Sequence, residues 1–147
     1  MRLSVVTPEG AKVETQVQSV TIPGAVGELG ILPGHRPLIT SLSIGKLSYV
    51  AGGKTVFLAT NDGFMEVHED VVTVVTQTAE YPDEIDVVRC KAALDRAERE
   101  LKEIDASVRP DAWDKMRRRR ARAQNRIRVS ELHATPAALR QVRDRAE

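Results

Sequence analysis

The feature that most constrains this chain is a change of period at Tyr81-Pro82-Asp83-Glu84. Before it, β-branched residues recur at the two-residue spacing of strands. After it, apolar residues recur every three or four positions, as on one side of a helix. Leu3-Ser4-Val5-Val6 opens the strand-like half, and Val13, Val17, Val20 and Ile22 continue it. Lys46–Val50 and Thr55–Ala59 flank Ala51-Gly52-Gly53-Lys54, where a Gly pair supplies the positive φ values of a tight hairpin. Phe64–Val67 and Val71–Thr76 flank the polar turn His68-Glu69-Asp70. Short strands at such intervals predict an all-β sandwich or barrel. Gly and Pro cluster between Pro23 and Pro37, which predicts turns or an ordered loop there rather than long elements.

Pro82 disfavours helix just before it, and Asp83 is the expected cap of the helix that follows. Val88, Ala92, Leu94, Ala97, Leu101 and Ile104 form its predicted apolar side. Ser107–Asp111 reads as a turn, and a second helix then carries Ala112, Trp113, Met116, Ala123, Ile127 and Leu132. A short connection makes the two antiparallel, and Pro136 is expected to end or break the second. The predicted fold class is α+β: a β domain over residues 1–84 and a helical hairpin over 85–147, with the tail after Leu132 unassigned.

Charge follows the same division. Residues 1–84 hold 5 Lys/Arg against 10 Asp/Glu, a net of −5, whereas residues 85–147 hold 17 against 11, a net of +6. Two units with different partners are expected. The lone Cys90 excludes an intramolecular disulfide. With no basic leader and no run of about 18 apolar residues, a chain neither exported nor embedded in a bilayer by its own sequence is expected. His35, His68 and His133 lie far apart, and Cys90 has no Cys or His at metal-ligand spacing, so no catalytic or metal site is expected. Gly53-Lys54-Thr55 imitates the end of a phosphate-binding P-loop. Ser48 stands where that motif needs Gly, and the residues after it are strand-like, so a hairpin turn is the better reading.

Three stretches resemble the epsilon subunit of bacterial rotary (F-type) ATP synthases. They are Thr21-Ile22-Pro23-Gly24 with Gly27-Glu28-Leu29-Gly30-Ile31-Leu32-Pro33-Gly34-His35-Arg36-Pro37-Leu38, Gly63–Val67 with Val71–Val74, and Asp83–Arg89. The resemblance spans roughly residues 1–132 and implies an N-terminal β-sandwich of about ten short strands followed by an antiparallel two-helix hairpin. It implies a non-catalytic part of the central stalk, peripheral to the cytoplasmic face of the bacterial membrane. The partners it implies are the gamma subunit, the ring of c subunits and, through an extended hairpin, the alpha and beta subunits. Glu28 and His35 fall where the family meets the c ring. The hairpin would restrain ATP hydrolysis.

Some family members bind regulatory ATP through I/L-D-x-x-R-A-x-x-A, matched here by Ile85-Asp86-Val87-Val88-Arg89-Cys90-Lys91-Ala92-Ala93 with Cys90 in place of the first Ala. Asp86, Arg89, Arg96, Arg122 and Arg126 occupy the family's site positions; no cofactor is otherwise required. The plainer reading of Asp86 and Arg89 is an exposed ion pair one helical turn apart. Arg117–Arg120, with Arg122, Arg126 and Arg128, would meet acidic surface on the beta subunits. Two other readings stay open: a sandwich with a nucleic-acid-binding basic arm, against which stand the scarcity of aromatics and the acidic β half, and a small enzyme.

Overall fold

A computed structural model describes residues 1–146, which divide into two compact units, Met1–Tyr81 and a second beginning at Pro82. The first unit holds ten strands: β1 Arg2–Thr7, β2 Gly10–Gln16, β3 Ser19–Gly24, β4 Gly27–Ile31, β5 Leu38–Leu42, β6 Gly45–Ala51, β7 Lys54–Thr60, β8 Gly63–His68, β9 Val71–Thr76 and β10 Ala79–Glu80. Hydrogen bonding runs in the order β10-β7-β6-β3-β5-β8-β9-β1-β2, with β4 on β3. Between β3 and β5 the ladder narrows to one pair, Gly24↔Leu42. There the sheet folds over on itself, and the sandwich core lies between its two halves. Leu3, Val5, Val20, Ile22, Ile31, Leu47, Leu58, Met65, Val67, Val72 and Val74 fill it, all essentially inaccessible to water.

The hairpins fall where glycines and small polar residues permit positive φ. Gly52 and Gly53 have φ of 57° and 76°, matching the twist of a two-residue turn between β6 and β7. Lys54 opens β7, so the P-loop likeness is a hairpin turn. Glu69 and Asp70 take φ of 48° and 62° between β8 and β9. One expectation needs correction. The Gly/Pro-rich stretch is not all turn, because Gly27–Ile31 pairs with Gly24–Val20 as β4. Gly30 stands at an exposed position of a hydrogen-bonded strand, where the ladder rather than the side chain fixes the backbone. At the end of the unit, Tyr49 is buried and hydrogen-bonded to Tyr81. Burial, then that partner, push its phenol up to about 12. The Tyr81 ring also lies 4.9 Å beneath the Lys12 ammonium.

The second unit holds a 3-10 turn at Pro82–Glu84 and three helices, α1 Val87–Glu103, α2 Pro110–His133 and α3 Pro136–Ala146. Asp83 does not cap α1, as sequence suggested; Asp86 does, accepting the Arg89 backbone N–H at 3.1 Å. The intervening 3-10 turn delays the helix by three residues and frees Asp83 for another task. Its carboxylate takes the Thr135 backbone N–H at 2.7 Å and the Thr135 hydroxyl at 2.9 Å. Thr135 in turn accepts the Ala138 N–H at 3.3 Å and so starts α3, with Pro136 in the first turn, where a missing N–H costs nothing. Pro136 therefore separates two helices, and the tail left unassigned by the sequence is helical through Ala146.

The apolar sides differ in phase from expectation. Val87, Cys90 and Ala97 are buried on α1 while Ala92 is exposed, because the stripe steps 87, 90, 94, 97 and 101 rather than starting from Val88. On α2, Met116, Ala123, Val129 and Ser130 are buried, and Leu132 stays 65% exposed. Leu132 lies five residues beyond Ile127, about 140° around the helix from it.

Candidate functional site

The sandwich presents two exposed features. The first surrounds β4. Glu28 is exposed on β4, opposite Pro23, while His35 lies beyond the other end of that strand. At about 3.3 Å per residue, Glu28 and Leu32 are roughly 13 Å apart along the chain. The structure thus places the two expected contact residues at opposite ends of β4 rather than at one point. His35 is held: its N–H closes a turn onto the Leu32 carbonyl at 3.1 Å, and Nδ1 lies 2.7 Å from the Arg36 carbonyl. A carbonyl only accepts, so Nδ1 carries the proton in that contact. Val26 and Leu32, at the two ends of the strand, are fully and 62% exposed, which sequence reading did not single out.

The second feature is a row on the outer surface of β5, β8 and β9. Register places Ser41, Phe64 and Val75 side by side, with Ile39, Glu66 and Thr73 one step along. Ile39, Phe64 and Val75 are 74%, 64% and 52% exposed, while the alternate residues Leu42, Met65 and Val74 are buried. The signal was present in the sequence as an apolar residue on both parities of Phe64–Val67 and Val71–Thr76. A half-buried antiparallel strand is expected to be polar on its outward parity.

On the helical unit, α1 and α2 are joined by a short connection, as antiparallel neighbours are, and Lys91 on α1 pairs with Glu131 on α2 at 3.5 Å. Arg89 lies roughly 10 Å from Arg96 along α1, and Arg122 one turn from Arg126. The five nucleotide-motif residues are thus spread along the hairpin, with Asp86 capping α1, Arg89 and Arg96 on α1, and Arg122 and Arg126 on α2. Arg89 and Arg96 are exposed, Arg122 and Arg126 half-buried. Burial, then Arg118 and Arg119 on the same helix, hold the Arg122 guanidinium below its usual range. Asp86 is engaged twice, by the Arg89 backbone N–H and by Arg145 of α3 at 3.3 Å. The first, then the second, keep its carboxyl below the usual range. Its salt bridge is thus to Arg145, and the charge of Arg89 acts on it more weakly. Cys90 belongs to the buried stripe of α1. Among the described residues, no group of three or more His, Cys, Asp or Glu is placed to hold a metal, and no helix is long and apolar enough to cross a membrane.

Residues 1–82 match the family described as ATP synthase, Delta/Epsilon chain, beta-sandwich domain. ATP synthase epsilon chain 2 of Syntrophotalea carbinolica is 41% identical over 130 residues, 88% of this chain and 93% of that one. The ATP synthase epsilon chain of Geobacter sulfurreducens is 48% identical over 104 residues, 71% and 75% of the two chains. Among solved structures, a chain of the Euglena gracilis mitochondrial ATP synthase (OSCP/F1/c-ring in rotational state 1) aligns with a TM-score of 0.64 at 26% identity, covering 93% of this chain and 79% of that one. A chain of the Tetrahymena thermophila mitochondrial central stalk and c-ring aligns at 0.50 with 14% identity over 57% and 68% of the two, which shows likeness of fold alone.

Proposed function

The chain belongs to the ATP synthase delta/epsilon family, and on that footing we propose that it is a non-catalytic subunit of the central stalk of a proton-translocating ATP synthase. It couples rotation of the c ring and gamma to ATP synthesis, and its helical unit restrains hydrolysis. The observation that carries this reading is the exposed row Ile39, Phe64 and Val75. An apolar strip on the outer surface of an otherwise acidic sandwich is costly in water and suits burial against another subunit, here gamma. The β4 region, where Glu28 and His35 stand beside the exposed Val26 and Leu32, offers a separate mixed surface for the c ring. The complex as a whole places the chain at the cytoplasmic face of the bacterial membrane. Arg117, Arg119 and Arg128, exposed along α2, favour acidic surface on the alpha and beta subunits in an extended arrangement.

The test is a chain ended before Pro82 and assembled with the remaining subunits. ATP-driven proton pumping is expected to persist while ATPase activity rises about fivefold, the effect of shifting a two-position element by roughly 1 kcal/mol. Hydrolysis at the rate of the full-length assembly would rule out restraint by the helical unit. Loss of assembly would rule out the stalk role of the sandwich.

A nucleotide-sensing role for the hairpin is favoured by Arg122 and Arg126, half-buried one turn apart on α2, and Arg96, exposed on α1, guanidinium groups of the kind that hold a phosphate chain. Calorimetric titration with ATP is expected to give saturable binding that Arg96→Ala weakens about tenfold or more, the size of one charge-assisted hydrogen bond. An absence of heat from the intact chain at millimolar ATP would dismiss the role.

A further inference from the structure

The turn that follows β4 is fastened to a distant part of the sandwich. Within it, the His35 N–H bonds to the Leu32 carbonyl, and Gly34 takes a φ of +83°. The Gly34 N–H turns away and donates to Asp70 Oδ1 at 2.9 Å, across 36 residues of sequence. Asp70 lies in the β8–β9 turn at a φ of 62°, a conformation that Asp and Asn tolerate better than most residues. Its own carbonyl accepts the Arg2 N–H at 3.0 Å. One residue therefore joins the start of β1, the β8–β9 turn and the turn bearing His35. Its neighbour Glu69 shares the positive φ, yet its side chain goes to His68 at 3.8 Å.

We propose that Asp70 is a positioning residue that fixes the Leu32–His35 turn for docking on the c ring. The inference rests on the reading that this turn meets the ring, and it adds the residue that sets the turn's geometry. Pro33 and Pro37 limit the conformations of the turn, but neither anchors it to the sandwich. The Asp70–Gly34 hydrogen bond supplies that anchor. A charged acceptor strengthens the bond, and its place beside His35 lets it decide the orientation of the ring-facing groups. When the anchor is lost, the turn must be ordered on binding, and affinity falls by the fraction of time it spends in the docking geometry.

The experiment uses the full chain and three variants. Asp70→Gly removes the carboxylate while suiting the positive φ, Asp70→Asn keeps an acceptor oxygen, and Glu69→Gly loosens the same turn without touching Gly34. Hydrogen exchange at the Gly34 amide and retention on a reconstituted gamma–c-ring stalk are both measured, with melting of the sandwich as control. Asp70→Gly is expected to speed Gly34 exchange about tenfold and to weaken retention about fivefold. Asp70→Asn, with a neutral acceptor, should fall between Asp70→Gly and the parent chain, Glu69→Gly should stay near the parent in both, and melting should move little. Unchanged Gly34 exchange in Asp70→Gly would overturn the proposal, as would fast exchange with undiminished retention or an equal loss in Glu69→Gly. If the parent chain binds gamma alone and gains nothing from the ring, the ring-docking reading falls with it; the Asp70–Gly34 anchor is then still decided by exchange.

Discussion

Gly63→Ala is expected to destabilise the sandwich by about 3 kcal/mol or more, one of the two largest effects foreseen for single substitutions in this chain. Gly63 opens β8 opposite Thr76 of β9 and Leu42 of β5. A methyl group there would fall inside van der Waals contact with the Val75 carbonyl oxygen and lie 3.0 Å from the Thr76 Cα. These are backbone atoms, so no rotamer change relieves the contact. Nor can Thr76 move freely, because its buried hydroxyl sits 3.0, 3.2 and 3.3 Å from the Asn61, Asp62 and Thr78 carbonyls, with its one proton shared among them. Spreading β8 from β9 would open ladder bonds at the end of the hairpin farthest from its turn. Urea unfolding of the full chain measures the loss. Tyr49 and Tyr81 report the sandwich, and Trp113 reports the helical unit separately. A loss below about 1 kcal/mol would mean that the strands separate at little cost.

The second large effect is Leu58→Ala, expected to cost about 2–5 kcal/mol and to lower the melting temperature of the sandwich by roughly 10–30 °C. Leu58 on β7 pairs across the ladder with Leu47 on β6, and both are wholly buried. Truncation removes the packing of one while leaving a hole beside the other. Strands tied by a seven-pair ladder cannot close such a hole by sliding. Leu47→Ala should cost a similar amount. Since the two side chains share one cavity, the double variant should lose clearly less than the sum. Strict additivity would show that Leu47 and Leu58 pack independently. Trp113 fluorescence should follow the same curve in all three proteins.

The strands were readable because alternation and glycine turns are local properties. Gly52-Gly53 and His68-Glu69-Asp70 marked hairpins that the ladder reproduces. β4 was harder, since Gly27 and Gly30 signal turns to any local rule, and only pairing with β3 makes them a strand. On the helical side, Asp83 and Asp86 are both competent caps. What selects Asp86 is the engagement of Asp83 by Thr135, 52 residues away. The same bond starts α3, which a rule treating Pro136 as a terminator cannot foresee. The proposed contact surface divides in the same way. Glu28 and His35 stood out in a run of distinctive residues. The hydrogen bond from Gly34 to Asp70 exists only once segments 36 residues apart meet. Phe64 and Val75 stood within runs read as strands, but which side of the sheet they occupy was not read, because hydropathy names a residue's preference and not the parity it occupies.

The pairing of β1 with β9 bears on how the molecule comes into being. Arg2 to Val6 lie in parallel register with Val71 to Val75, so β1 borders a strand nearly seventy residues further along the chain. β2 joins the sheet through β1 alone and waits with it. Such contacts close a loop of nearly seventy residues before they return any energy, which slows folding relative to a chain of local hairpins. During synthesis, β1 can pair with β2 as a local hairpin, but its other edge stays open until Thr76 has been made. For that interval the hairpin bearing Leu3 and Val5 presents an unpaired edge, and the speed with which β8 and β9 form decides how long it stays exposed to other chains.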